Sequence, residues 1–134
     1  MKLIIIRGLP GSGKTTYAKE LIKQDTSLSH YEADMFFEEE DGYYHFDYRQ
    51  LKDAHSWCLY QTSKDLSNGK SVIVSNTFTQ KWEIQPYIDL GREYCVEVII
   101  KKAIGEYENI HGVPDIAIDK MKSRWENIEG EEII

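Results

Sequence analysis

The sequence predicts a single α/β domain built on a parallel sheet. Three observations carry this. Short apolar runs of strand length alternate with longer segments of helical periodicity. The first run, Leu3-Ile4-Ile5-Ile6, has the unbroken apolar character of a strand buried on both faces. A glycine-rich segment then joins it directly to the first amphipathic segment. The chain of 134 residues is long enough for one domain with a core and too short for two.

The first strand covers residues 2–7 and the first helix residues 13–24, the latter carrying Tyr17-Ala18-Lys19-Glu20-Leu21-Ile22-Lys23. Between them stands Gly8-Leu9-Pro10-Gly11-Ser12-Gly13-Lys14-Thr15-Thr16, which has the form Gly, four residues, Gly-Lys-Thr of a phosphate-binding P-loop. Its glycines adopt backbone angles closed to other residues and admit close approach of a ligand. The loop N–H groups converge on phosphate oxygens, helped by the positive end of the helix that follows. Gly8, Pro10, Gly11, Ser12, Gly13, Lys14, Thr15 and Thr16 form the expected nucleotide-binding set. Lys14 brings a point charge to the β- and γ-phosphates, and Thr15 offers its hydroxyl to Mg²⁺.

Asp25-Thr26-Ser27 is a turn cluster. A short second strand at residues 30–33 leads to Asp34. In an open parallel sheet the strand ends on the P-loop side line the ligand crevice, which makes Asp34 the first acid expected to face a triphosphate. Residues 35–46 interleave Phe36-Phe37, the acid run Glu38-Glu39-Glu40-Asp41 and Gly42-Tyr43-Tyr44, and read as a loop or short hairpin over the site. Asp47 caps a helix at residues 48–67 with Leu51, Ala54, Cys58, Thr62 and Leu66 as its buried stripe, and Asn68-Gly69 ends it. The third strand, residues 71–75, runs into Asn76 and Thr77. Both Ser75 and Asn76 are uncharged where many P-loop enzymes carry an acid for the metal. A helix to about residue 91 follows, with Pro86 predicting a kink or a two-part segment. The fourth strand lies at residues 94–101, a loop at 105–114, and a last helix at 116–127 burying Ile116, Met121 and Trp125 or Ile128. The acidic tail, residues 129–134, is expected to fray. There is no internal repeat and no linker.

Net charge is −7, from 16 basic and 23 acidic side chains. This argues against broad non-specific binding to nucleic acid, which needs a basic face, while leaving room for recognition of one chain end in a local site. No apolar stretch is long enough to span a membrane, and the N-terminal run reads as a core strand rather than a signal peptide. Cys58 and Cys95 fit no metal spacing and are expected as two free, buried thiols in a reduced cytoplasmic setting.

Several segments, taken together and in order, carry a family likeness: Arg7 through Lys14, Ala33-Asp34 followed by aromatics, Gly42-Tyr43-Tyr44-His45-Phe46-Asp47, Ala54-His55-Ser56-Trp57-Cys58, Val74-Ser75-Asn76-Thr77, Lys81-Trp82-Glu83, Asn109-Ile110-His111-Gly112-Val113-Pro114 and Met121-Lys122-Ser123-Arg124-Trp125-Glu126. The chain resembles the P-loop kinases of the polynucleotide-kinase type, in the AAA_33 ATP-binding group. The likeness spans nearly the whole chain. It implies a P-loop NTPase fold with a four-stranded parallel sheet flanked by helices on both faces, with ATP and Mg²⁺ as cofactors. It also implies transfer of the ATP γ-phosphate to a hydroxyl such as a nucleic-acid 5′-end. By resemblance Asp34 is the general base, Lys14 and Thr15 keep their P-loop roles, and Asn76 and Thr77 lie on the substrate side. His111 falls where the family's lid carries a cation.

The sequence departs from the family pattern in two places. The lid segment Gly105-Glu106-Tyr107-Glu108-Asn109-Ile110-His111 contains no arginine, and Phe37 stands where phage-type members have one. Arginines there stabilise charge on the moving phosphoryl group. Both departures spare the nucleotide-binding residues. Two further readings therefore stand beside the polynucleotide kinase: a low-turnover nucleotide-binding regulatory module, and a kinase of a nucleoside or small hydroxylated metabolite.

Overall fold

The computed structural model describes residues 1–38, 42–107 and 112–134. Its strands are β1 (Lys2–Arg7), β2 (Ser29–Tyr31), β3 (Val72–Asn76), β4 (Glu97–Lys102) and β5 (Glu132–Ile133). Its α-helices are α1 (Lys14–Gln24), α2 (Leu51–Ser67), α3 (Lys81–Glu93) and α4 (Asp115–Ser123). The strands pair in the order β2-β3-β1-β4-β5, and every pairing is parallel.

Strand alternation builds two cores. Leu3 and Ile5 of β1 point to one face with Val72 and Val74 of β3, where Cys58 and Leu66 of α2 and Ile84 and Tyr87 of α3 cover them. Ile4 and Ile6 point to the other face, against Ala18 of α1 and the partly buried Leu21 and Ile22. Leu3, Ile5 and Ile6 have no exposed surface, and each stabilises the fold by about 1.5–3 kcal/mol through burial. With Leu3 through Arg7 covered on both faces, β1 is fixed at the centre of the sheet, and its carboxyl end carries the glycine-rich loop.

The structure corrects several sequence expectations. The sheet has a fifth strand, contributed by the tail expected to fray. Arg7 explains this: its side chain is fully buried at the end of β1, and Glu131 supplies the compensating carboxylate at 3.1 Å. The Ile134 N–H then donates to the Lys102 carbonyl at 2.9 Å, and its side chain packs on the Ile4–Ile6 face. The last helix ends at Ser123 and none of its residues is buried; Ile116 is 67% exposed. Trp125 lies beyond it and stacks on Arg7 instead. In α2 the stripe Ala54, Cys58, Thr62 and Leu66 is buried, whereas Leu51, at the helix start, is exposed. Pro86 is accommodated inside one uninterrupted helix. Cys58 is buried, but Cys95 is exposed in the turn after α3.

Candidate active site

The loop after β1 folds as its glycines require. Gly11 and Gly13 take positive φ values of 80° and 97°, in the region that favours glycine. A Cβ on Gly8 would collide with the Ser12 side chain and the Ala103 carbonyl. Gly13 also opens α1, whose N-terminus has no side-chain cap among the described residues and no acid in its first turn. Its free N–H groups are thus left for an anion. The Ser12 hydroxyl is buried without a hydrogen-bond partner among the described residues.

Lys14 folds back over this loop. Its Nζ donates to the Gly8 and Leu9 carbonyls at 2.9 and 3.0 Å. Burial lowers its pKa to about 8, against the opposing pull of Glu32 and Asp34. An ammonium desolvated in this way and held by neutral carbonyls is short of negative charge. A phosphate group would supply it, so the cradle fits a nucleotide's phosphates.

The segment after β4 closes one side of the loop. Gly105 N–H donates to the Ser12 carbonyl at 3.0 Å, and Tyr107 N–H to the Gly11 carbonyl at 2.7 Å. The Tyr107 ring rests against Gly13 and Gly105, where a Cβ would displace it. Beside α1 lies a cavity of about 230 Å³ lined by Ser12, Gly13, Thr16, Tyr17, Gly105 and Tyr107 among others.

Acids face the loop from the opposite side. The parallel register pairs Tyr31 with Val74, which brings Glu32 alongside Ser75 at the carboxyl edge of the sheet. Glu32 is buried, and its Oε1 accepts from the Thr15 hydroxyl at 2.6 Å and from the Ser75 hydroxyl at 2.8 Å. His30 Nε2 lies 3.3 Å from the same oxygen and 2.7 Å from Ser75 Oγ. Ser75 has one proton and gives it to Glu32, so the Ser75 contact requires His30 Nε2 to carry a hydrogen. Burial works to raise the Glu32 pKa, but the hydrogen bonds from His30, Thr15 and Ser75 prevail and hold it at about 2. Sequence reasoning missed Glu32. The available signal was an acid closing a strand on the ligand-facing edge, two residues before Asp34.

Asp34 sits in a 3₁₀ turn, Ala33–Phe37, just beyond β2. Its Oδ1 accepts from the Tyr44 hydroxyl at 2.9 Å. The neighbouring rings pack on one another: Phe37 lies edge-on to Phe36, Tyr44 and Phe46, and Tyr44 stacks near-parallel with Phe46 at 6.4 Å. Asn76 is buried. Its Oδ1 accepts from Ala33 N–H at 2.8 Å, and its amide nitrogen contacts Cys58 Sγ at 3.7 Å, so it ties the 3₁₀ turn to β3. The Thr77 carbonyl accepts from Gly8 N–H at 3.3 Å. Both lysines closing β4 engage the tail: Lys101 pairs with Glu132 at 3.4 Å and also donates to the Tyr17 hydroxyl of α1 at 2.8 Å, and Lys102 lies over Trp125. His111 is outside the described residues.

The AAA_33 family model, described as an AAA domain, matches residues 3–103. The chain belongs to the AAA_33 family. This AAA_33 chain is similar to human NEDD4-binding protein 2, at 30% identity over 98% of this chain and 8% of that protein. It thus corresponds to a small part of the curated relative. Its fold is similar to a chain of the Pnkp1/Rnl/Hen1 RNA repair complex, with a TM-score of 0.71 at 21% identity over 92% of this chain and 43% of the other. It is also similar to Chaetomium thermophilum Kti12 in complex with ADP-AlF3, with a TM-score of 0.73 at 12% identity over 98% of this chain and 88% of the other. The fold is that of the P-loop kinases, a nucleotide-binding fold. Among the described residues no helix is long and apolar enough to cross a membrane.

Proposed function

We propose that the protein is an ATP-dependent phosphotransferase that moves the γ-phosphate to a hydroxyl acceptor. One observation carries the reading. Asp34 lies within electrostatic reach of the Lys14 ammonium, and its carboxylate already holds a hydroxyl, that of Tyr44, at hydrogen-bond distance. A general base for phosphoryl transfer has to do this with the acceptor.

In the proposed reaction the acceptor hydroxyl replaces Tyr44 and gives its proton to Asp34. The acceptor oxygen bonds to the γ-phosphorus as the bond to the β–γ bridging oxygen breaks, and ADP leaves. Lys14 and the loop N–H groups hold the phosphates. Thr15 would hold Mg²⁺, which would supply positive charge to offset that of the phosphates. The cavity beside Tyr17 and Tyr107 adjoins the phosphate cradle and is the candidate seat for the nucleoside part of ATP. A nucleic-acid 5′-end is the leading acceptor; a nucleoside or small hydroxylated metabolite suits the net charge of −7 as well.

The second reading is a low-turnover nucleotide-binding module whose ATP state governs a partner. The arginine-free segment at residues 105–111 favours it, together with the engagement of Lys101 by Glu132 and of Lys102 by Trp125 in the tail. A cytoplasmic setting accords with both readings. Transfer of radiolabelled γ-phosphate, screened over 5′-hydroxyl DNA, 5′-hydroxyl RNA and nucleosides alongside ATP titration, separates them. Labelled product supports the kinase. ATP binding with no product for any acceptor supports the module.

A further inference from the structure

The end of β3 carries Ser75 and Asn76, neither of which offers charge to a metal, and Asn76 is committed to Ala33 N–H and Cys58. A buried carboxylate does stand next to the loop, but it comes from the neighbouring strand end. Glu32 Oε1 takes the Thr15 hydroxyl hydrogen at 2.6 Å.

That bond has a consequence for metal binding. A hydroxyl has one hydrogen and two lone pairs, and only a lone pair can ligate a cation. A free rotor would have to be ordered at the moment of binding. With its hydrogen held by Glu32, the Thr15 oxygen presents its lone pairs away from the carboxylate and gains electron density from a charge-assisted bond. Carboxylates that orient a ligand in this way contribute roughly 10–100-fold to metal affinity. Glu32 is itself fixed, since Ser75 donates to the same oxygen at 2.8 Å and the His30 ring lies 3.3 Å away. A mere tie between β2 and β3 would need Ser75 and His30 but not Thr15, which belongs to the phosphate loop.

We propose that Glu32 is the positioning carboxylate of the magnesium site, turning the Thr15 hydroxyl toward the metal and supplying from β2 the charge that β3 lacks. The inference rests on the nucleotide-site reading above.

The test separates metal from nucleotide. ATP affinity is measured by calorimetry in EDTA, and Mn²⁺ affinity of the protein–ATP complex by paramagnetic resonance of free Mn²⁺. For Glu32→Gln the expected result is metal-free ATP affinity equal to or tighter than the parent's, with Mn²⁺ bound about 10–100-fold more weakly. Glu32→Asp keeps the charge but withdraws it by one methylene; it should weaken Mn²⁺ in the same direction by a smaller factor, and it serves alone if Glu32→Gln does not fold. Parental Mn²⁺ affinity in either folded variant overturns the role of Glu32 while leaving the nucleotide site standing. A parent protein that binds no ATP at all overturns both.

Discussion

The Arg7 guanidinium lies 4.0 Å from the centroid of the Trp125 ring, joining the central strand to the C-terminal segment. The same group donates to the carbonyls of Phe78, Thr79 and Glu126 and pairs with Glu131 at 3.1 Å. Burial disfavours its charge, and the neighbouring carboxylates offset only part of that cost, Glu131 foremost. Phe78 holds φ at 45°, a strained value for a residue with a side chain, with its carbonyl turned onto Arg7 and its ring against Tyr87.

Arg7→Met should therefore cost about 3–5 kcal/mol, the range for leaving a buried ion pair without its partner. Urea unfolding of parent and variant measures this directly. A loss below about 1 kcal/mol would mean that Glu131 and the freed carbonyls re-pair with water, which is the usual outcome at exposed sites.

Tyr44→Phe keeps the ring contacts with Phe37 and Phe46 and removes the hydroxyl that lies on Asp34. Burial and the Asp34 charge push the Tyr44 pKa upward, so its proton stays in place across any working pH. If that hydroxyl competes with the acceptor, its removal should raise kcat/KM for the acceptor by about 10–100-fold, the worth of one hydrogen bond to a charged group. Acceptor titrations at saturating ATP supply the comparison. A fall in kcat/KM would make Tyr44 a support for Asp34 and not a competitor.

Lys14→Ala takes away the cation that folds over the loop carbonyls. Losing one partner of a desolvated charge pair costs roughly 2–5 kcal/mol, so ATP affinity should drop by at least ~30-fold. Calorimetry with Mg-ATP reads it, and an unchanged affinity would place the nucleotide elsewhere.

The phosphate loop was legible in the sequence because everything it needs is local. Its glycines, lysine and threonine are contiguous, and the flanking strand and helix are adjacent in the chain. The alternating core of β1 was legible for the same reason. Glu32 was not, because its meaning depends on partners distant in sequence: Thr15 is 17 positions away and Ser75 is 43. Only the β2–β3 register brings them together. The tail shows the same limit. Its acidic composition suggests a solvated end, and nothing near Glu131 in the chain reveals that a buried arginine 124 positions earlier needs it. Leu51 and Ile116 misled for a related reason. Both occupy apolar positions of a helical pattern, but each lies in a first turn that reaches past the core.

Asp34 is the proposed general base beside the phosphate cradle, and Asp34→Asn tests that role most directly. The change is nearly isosteric and leaves the loop intact. ATP affinity by calorimetry should stay within about three-fold of the parent, while single-turnover transfer to the best acceptor of the screen falls by roughly 10²–10⁴. Parental transfer rates in the variant would rule out Asp34 as the base and assign acceptor activation to another group.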